Sequence, residues 1–238
     1  MWRLYHYALC PFSRKIRLTL AELRLDFDVV NEKPWERRTD FLVLNPAAQT
    51  PVLTCDDDER VLADSAAIFE YVQSEYGADI NLLGETALAA AEARRLAAWF
   101  DLKFYADITT HAFSEMVFKR FIEKAPPDGR AIRAAKHNLD VHLGYIDHLF
   151  FERRWLAGDS FSIADIAAAA QRSVIDYFGM VPWSAHAPAQ DWYARVKSRP
   201  SMRPLLADRV AGLPPAAHYD QLDFCARAAD RQGQGAWL

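Results

Sequence analysis

The stretch LCPFSRKIRL, residues 9–18, places a cysteine at the point where a strand gives way to a helix. The preceding segment WRLYHY, residues 2–7, is short and aromatic, as strands are. Pro11 suits the first turn of a helix, where its missing N–H is not needed, and apolar residues then recur at helical spacing. We therefore expect a strand-to-helix junction with Cys10 at its centre.

Cys10 and Ser13 are the first chemical candidates in this stretch. The N-terminus of a helix with Arg14 and Lys15 nearby favours a thiolate at Cys10. The Ser13 hydroxyl can hydrogen-bond that thiolate, or the thiolate of a bound thiol. A second sulfur is absent from the C-x-x-S pair, so redox chemistry at Cys10 has to pass through a mixed disulfide with an external thiol. A partly buried cysteine beside a helix-start serine is the alternative that these residues leave open.

The first third of the chain alternates strand and helix patterns. A second strand is predicted over residues 26–30, DFDVV. An acidic turn between residues 51–55, PVLTC, and residues 60–63, RVLA, predicts a hairpin. A helix is predicted over residues 65–76, with Gly77 ending it. Strand and helix patterns in this order are typical of a small α/β domain.

Helical periodicity dominates the rest of the chain, and strand patterns disappear. Ser162 and Asp165 have the Ser-x-x-acid spacing of a capping box, which predicts that a helix begins there. Another helix is predicted from Tyr145 to Trp155. The division that follows is an N-terminal domain at residues 1–78, a linker at 79–86, a helical domain at 87–207 and an irregular tail at 208–238.

The composition argues against several classes of function. Of the 238 residues, 51% are hydrophobic, which is enough for a substantial core. A net charge of -4 argues against a nucleic-acid surface. The chain shows no signal-peptide pattern and no apolar run of about 20 residues, so we expect a cytoplasmic protein that is not inserted in a membrane. The three cysteines have no metal-like spacing, and we expect reduced thiols at Cys10, Cys55 and Cys225. The three central histidines also lack such spacing, so we expect surface residues and no metal site at His137, His142 and His148.

Two further segments can bind a peptide-like ligand. In QTPVL, residues 49–53, a cis bond before Pro51 would let the backbone N–H and C=O of Thr50 pair with a bound peptide, although an ordinary strand-start proline also fits. Asp64 and Ser65 stand at the head of a helix, where free N–H groups attract a carboxylate. Simple helix capping is the alternative there.

The charged segment NEKPWERR, residues 31–38, contains Trp35. A tryptophan exposed among charges is unfavourable unless it has a use, and Trp with Arg is enriched at binding hot spots. The segment is therefore a candidate contact for a partner. A tryptophan folded back onto its own domain is the alternative.

These motifs in this order resemble the glutathione S-transferase superfamily: a strand, C-P-F-S opening a helix, a strand, N-P-A-x-Q-x-P-V-L, a hairpin, D-S opening a helix, and a helical half with the S-x-x-D box. The resemblance implies a thioredoxin-like α/β N-terminal domain followed by an all-α C-terminal domain. It also implies a cis bond at Pro51 and a homodimer.

The resemblance also implies glutathione as a substrate and a role for each matching residue. These are the Thr50 backbone before Pro51 for the cysteinyl part, Asp64 and Ser65 for the γ-glutamyl part, and Lys33 for the glycyl carboxylate. Ser13 matches the serine that hydrogen-bonds the glutathione thiolate in serine-type transferases. Cys10 matches the cysteine of omega-like members, which favour thiol exchange over conjugation. With both residues present, the reaction type stays open.

A narrower resemblance is to a bacterial family of glutathione S-transferase-like proteins that bind the division protein FtsZ. The matching segments are YHYALCPFSRKIRL, EKPWERR, DYFGMVPW, WYARVKSRPSMRPLL and HYDQLDF. This resemblance implies a dimeric adaptor on the FtsZ filament at the division site, with partner contacts at Trp35, Arg37, Tyr219, Leu222, Asp223 and Phe224. The chain continues for fourteen residues past Phe224, CARAADRQGQGAWL. An active glutathione transferase or thiol exchanger remains the alternative, and another binding use of the scaffold is a third.

Overall fold

The N-terminal part of the chain is built on a mixed sheet in the computed structural model, which describes residues 1–56 and 60–222. Within those residues the sheet has four strands, β1 Trp2–His6, β2 Phe27–Asn31, β3 Val52–Cys55 and β4 Arg60–Ala63. Their order is β2-β1-β3-β4, with β1 parallel to β2 and antiparallel to β3, and β4 antiparallel to β3. The predicted hairpin is therefore confirmed.

Three helices accompany the sheet, and two of them begin at a side-chain cap. They are α1 Pro11–Glu22, α2 Thr39–Leu44 and α3 Ser65–Tyr76, with a single 3-10 turn at Pro34–Glu36. The Cys10 sulfur caps α1, and Pro11 occupies its first turn. The Asp64 carboxylate caps α3, which ends at Gly77 as predicted.

The regular elements of the C-terminal part are helices in the residues that the structure describes, apart from isolated bridges at Trp155–Gly158 and Val210–Leu213. Its helices are α4 Ala87–Ala98, α5 Thr110–Phe113, α6 Gly129–Leu149, α7 Ile163–Tyr177, α8 Ala187–Lys197 and α9 Arg203–Leu206. Wide π-helical turns at Trp99–Thr109 and Ser114–Glu123 continue the α4 and α5 helices, and 3-10 turns lie at Trp183–Ala185 and Pro200–Met202. None of the helices in the described ranges is long and apolar enough to cross a membrane.

Helix α7 is the centre of this domain, because all of its residues are buried. Its predicted capping box is present, with Ser162 and Asp165 bonded to each other. Asp165 also accepts hydrogen bonds from the Leu156 N–H at 3.0 Å and from Trp192 Nε1 at 2.9 Å. Complete burial raises the pKa of Asp165 to about 6 despite these donors.

Two expectations for the helical domain are wrong. Helix α6 ends at Leu149, and Trp155 lies in a tight turn whose backbone exchanges two hydrogen bonds with Gly158. His142 is buried, not exposed, because α6 turns it toward the preceding long helix. There it accepts a hydrogen bond from Trp99 Nε1 at 3.1 Å and lies 3.1 Å from the Asp107 carboxylate.

The two domains meet where α1 packs against α7, and basic residues of α1 form much of that contact. The buried Arg14 guanidinium donates to the Ala8 carbonyl at 2.6 Å, to Ser173 Oγ at 2.8 Å and to the Tyr219 hydroxyl at 2.9 Å. Arg17 forms a two-pronged ion pair with Asp208, at 2.7 and 3.1 Å. Arg14, which the sequence suggested as support for a thiolate at Cys10, therefore joins the two domains instead.

Candidate functional site

A cleft of about 830 Å³ opens between the two domains. One side is polar and comes from the N-terminal domain: Cys10, Gln49, Thr50, Asp64 and Ser65. The other side is mainly aromatic and draws on both domains: Tyr7, Phe12, Trp35, Tyr105, Phe113 and Phe118. A polar side beside an aromatic side suits a ligand that is a peptide at one end and apolar at the other.

The Cys10 thiol lies at the junction of these two sides. Its sulfur accepts a hydrogen bond from the backbone N–H of Ser13 at 3.5 Å and donates one to the Thr50 carbonyl at 3.4 Å. The thiol thus touches both the start of α1 and the loop before Pro51. The Thr50–Pro51 bond is cis, as the family resemblance implied.

Ser13 does not share this position. Its side chain is completely buried, and its hydroxyl accepts a long hydrogen bond from the Tyr7 N–H at 3.4 Å. Ser13 is also missing from the cleft wall that Cys10 helps to form. The side chain available to a ligand is therefore that of Cys10.

Arg14 and Lys15 were expected to support a thiolate at Cys10, and the structure gives both another role. Arg14 is committed to the domain contact described above. The Lys15 ammonium is ion-paired with Asp101, a carboxylate at the cleft wall. Burial raises the pKa of Asp101, although Lys15 opposes that shift.

Asp64 and Ser65 lie together at the head of α3. One Asp64 oxygen accepts from the N–H groups of Ala66 at 2.7 Å and Ala67 at 3.3 Å, so the capping alternative describes its present use. Ser65 lies in the cleft wall at the first residue of the helix. A ligand carboxylate placed there would meet the Ser65 hydroxyl and the positive end of the helix.

The segment 31–38, here called the Trp35 loop, forms the rim of the cleft. The half-buried Trp35 ring packs edge-on against Tyr7, with ring centres 5.0 Å apart, and against Phe118 at 5.9 Å. It therefore folds back onto the molecule and joins the two domains across the aromatic side. Lys33 is exposed, paired with Glu36 at 2.9 Å and outside the cleft wall, whereas Arg37 lies in that wall.

Two tyrosines of the cleft remain protonated near neutral pH. Burial raises the pKa of Tyr7 to about 12. Burial also raises the pKa of Tyr105, which projects from the long helix that follows α4. Both hydroxyls can therefore donate hydrogen bonds to a ligand but cannot act as bases. Tyr105, Phe113 and Phe118 carry no sequence motif, and only the packing of the helices identifies them.

The expected partner contacts near the C-terminus that lie among the described residues, Tyr219 and Leu222, differ in exposure. Tyr219 is completely buried, and its hydroxyl donates to the Leu205 carbonyl at 2.9 Å while accepting from Arg14. Its side chain is an anchor between the domains, which corrects the expectation of a surface contact. Leu222 is 46% exposed and stays a candidate. Asp223 and Phe224 lie outside the described residues.

The thioredoxin-like sheet, the helical domain and the thiol-bearing cleft beside a cis-proline loop define the class of glutathione S-transferase folds. Family models agree: the glutathione S-transferase N-terminal domain matches residues 9–75, and the C-terminal domain matches residues 105–200. The chain belongs to the glutathione S-transferase family.

Within this family, the chain is similar to FtsZ-localized protein A of Caulobacter vibrioides, with 46% identity over 93% of this chain and 97% of the relative. Two solved structures superpose with a TM-score of 0.91. FzlA from C. crescentus is 45% identical over 94% of this chain and 99% of that chain, and a glutathione S-transferase from Rhodospirillum rubrum is 48% identical over 94% and 100%. The Escherichia coli transferase GstB is more distant, with 28% identity over 80% of this chain and 90% of the relative.

Proposed function

We propose that this protein is a homodimeric adaptor that binds FtsZ filaments at the division site of a bacterial cell. The observation that carries the proposal is the 46% identity, extending over 93% of the chain, to a relative named for its localization with FtsZ. Identity to the transferase GstB is only 28%, over a smaller part of the chain. A solved glutathione S-transferase from Rhodospirillum rubrum is 48% identical, so percentage identity does not by itself separate the two roles. What favours the division-site role is that the relative in Caulobacter is named for its localization with FtsZ.

The Trp35 loop is the first candidate contact for the filament. It lies at the rim of the cleft, and Trp35 and Arg37 belong to the residue types most enriched at binding hot spots. Leu222 is the second candidate, at the end of the described chain. A dimer would present each contact twice, and a repetitive filament then converts two weak contacts into one strong attachment.

Substitution in the Trp35 loop tests the adaptor role. We expect Trp35→Ala and Arg37→Glu to lower co-sedimentation with FtsZ filaments at least about tenfold, as loss of a hot-spot residue does. Arg37 is exposed, so Arg37→Glu keeps the test valid if Trp35→Ala disturbs the packing against Tyr7. The control is Phe151→Ala, because Phe151 is an aromatic residue 84% exposed outside the cleft wall. Unchanged co-sedimentation of both loop variants would contradict a filament contact there.

The alternative function is glutathione-dependent thiol exchange, and the position of Cys10 favours it. A Cys10 thiolate would attack the glutathione sulfur of a mixed disulfide, form a Cys10–glutathione disulfide and release the other thiolate. A second glutathione thiolate would then attack that disulfide, which yields oxidised glutathione and restores Cys10. Thr50 and Ser65 line the same cleft and would hold the glutathione backbone and carboxylate.

Calorimetry with glutathione, beside a disulfide-exchange assay on the same preparation, tests this alternative. Binding together with turnover that Cys10→Ala abolishes would establish an enzyme. Binding without turnover would leave glutathione as a ligand of an adaptor. Absence of both would exclude the alternative and leave the filament contact as the proposed role.

A further inference from the structure

The Trp35 loop belongs to two surfaces at once. Trp35 lines the aromatic side of the cleft, and Arg37 lies in the same wall. The same two residues form the proposed contact for the filament. A ligand deep in the aromatic side and a protein on the rim would therefore use the same side chains.

The charges of the loop single out Arg37. Lys33 is paired with Glu36 at 2.9 Å, and Arg38 is paired at 2.7 Å with the buried Glu32. Arg37 forms no ion pair with any residue in the ranges 1–56 and 60–222. It is therefore the available cation at the rim, and it suits an anionic ligand.

The Trp35 loop is firmly attached to the body of the molecule only at its start. There Asn31 ends β2, and the N–H of the buried Glu32 donates to the His6 carbonyl at 2.8 Å. Beyond Glu32, the regular element of the loop is the 3-10 turn Pro34–Glu36, which contains no buried residue. Trp35 is positioned by ring edges on Tyr7 and Phe118, and these rings belong to different domains. A group inserted between Trp35 and Phe118 would displace the tryptophan without unfolding a helix or a strand.

We propose that glutathione conjugates with an apolar group on sulfur compete with the filament for the Trp35 loop; this inference rests on the proposed function. The conjugate sulfur would lie near Cys10 and Thr50, which already share a hydrogen bond at 3.4 Å. Its apolar group would extend from there into the aromatic side, against Phe113, Phe118 and Trp35. The carboxylates of the conjugate match the Ser65 helix start and Arg37. Cleft occupancy would thus release the adaptor from its partner.

The experiment measures co-sedimentation of the full chain with FtsZ filaments in the presence of S-hexylglutathione. At a concentration ten times its own dissociation constant, full competition raises the apparent dissociation constant for filaments about elevenfold. Glutathione lacks the hexyl group. At the same fractional saturation, it is expected to raise the apparent dissociation constant for filaments less than about threefold. Filaments must weaken binding of the conjugate by the same factor, because linkage is reciprocal. Phe151→Ala is the control and is expected to keep the full competition.

The possible failures are distinguishable. If the chain binds both filaments and S-hexylglutathione, and neither affects the other by more than about twofold, the competition is refuted and the adaptor role stands. If S-hexylglutathione gives no binding in calorimetry, the competition is also refuted. If the chain does not co-sediment with filaments at all, the proposed function fails, and the competition fails with it.

Discussion

The Cys10 thiol is positioned by backbone groups, namely the Ser13 N–H and the Thr50 carbonyl. The Ser13 hydroxyl instead accepts from Tyr7, with a long 3.4 Å separation. We therefore expect Ser13→Ala to lower the free energy of unfolding by only about 1 kcal/mol, the value of one modest hydrogen bond. Labelling of Cys10 by iodoacetamide, followed by mass spectrometry, is expected to keep its rate, with Cys55 as the internal reference. A large loss of Cys10 labelling would show that the hydroxyl does act on the thiol.

Arg14 provides a second prediction, this time for stability. Without the guanidinium, the Ala8 carbonyl, Ser173 Oγ and the Tyr219 hydroxyl lose the hydrogen-bond donor that they share in the buried domain contact. We expect Arg14→Ala to lower the free energy of unfolding by about 3–5 kcal/mol, as measured by urea denaturation. Arg130 is the control, because its side chain is 88% exposed. Arg130→Ala is expected to change stability by less than about 0.5 kcal/mol, and equal effects of the two variants would contradict the assignment.

Candidate site residues were predictable from the sequence where their position depends on the local chain. Cys10 and Ser65 each stand at a helix start, so a cap and a preceding loop place them in the cleft. Lys33 lies outside the cleft wall and is paired locally with Glu36, three residues further on. Tyr219 was misplaced because its side chain follows a tertiary partner, Arg14, that no spacing reveals. Phe118 was missed for a related reason, since only helix packing brings its ring to Trp35.

At the scale of elements, the start of α7 makes the stability of the protein depend on pH. The pKa of Asp165 is about 6 in the fold, against a usual 3.8. Between these values the folded state holds more protons, so the contribution of Asp165 to stability falls as pH rises. We therefore compare the free energy of unfolding of the wild type with that of Asp165→Asn. The advantage of the wild type over the variant is expected to fall by about 2–3 kcal/mol from pH 4 to pH 7.

The buried His6 acts in the opposite direction and must be separated from this effect. Burial, reinforced by Arg17, lowers its pKa to about 4, so its contribution to stability is lost as pH falls from about 6.5 to 4. His6 is present in both proteins of the comparison, and its contribution cancels. Urea titrations at several pH values measure the difference, and a difference independent of pH would contradict the raised pKa of Asp165.

The elements themselves were largely predictable, because strands, caps and breakers are local signals. The hairpin of β3 and β4, the helix α3 and the start of α7 all follow the sequence pattern. The end of α6 was not predictable from its apolar spacing, which continues past Leu149. There the chain leaves the helix so that Trp155 can pack against Phe161, with ring centres 5.0 Å apart, and this contact depends on the tertiary structure.

At the scale of the whole molecule, the domain contact and the proposed partner contacts converge on the same region of the chain. Arg17 of α1 is paired with Asp208 at 2.7 Å, and Arg14 with the Tyr219 hydroxyl at 2.9 Å. The segment after α9 is therefore fastened to the N-terminal domain before it reaches Leu222. A partner that binds near Leu222 would contact a surface whose position depends on both domains.

Two truncations distinguish the anchor from the partner contact. A chain that ends at Leu222 retains Tyr219 and the contacts of Arg14 and Arg17 with the segment after α9, so it is expected to keep its thermal midpoint within about 2 °C. A chain that ends at His218 loses a fully buried aromatic side chain, whose ring centre lies 5.0 Å from that of Tyr177. We expect the free energy of unfolding of this shorter chain to be lower by about 3–5 kcal/mol. That loss corresponds to a thermal midpoint lower by about 10 °C.

Light scattering and filament co-sedimentation of both truncated chains complete the test. The chain that ends at Leu222 is expected to keep the oligomeric state of the full chain, because the anchoring contacts of Arg14, Arg17 and Tyr219 all lie within the residues it retains. It is expected to lose co-sedimentation, because Asp223 and Phe224 are removed. If this chain melts as early as the chain that ends at His218, then Tyr219 is not the anchor. If it melts normally and still binds filaments, Asp223 and Phe224 are not needed, and the partner contact belongs to the Trp35 loop and Leu222.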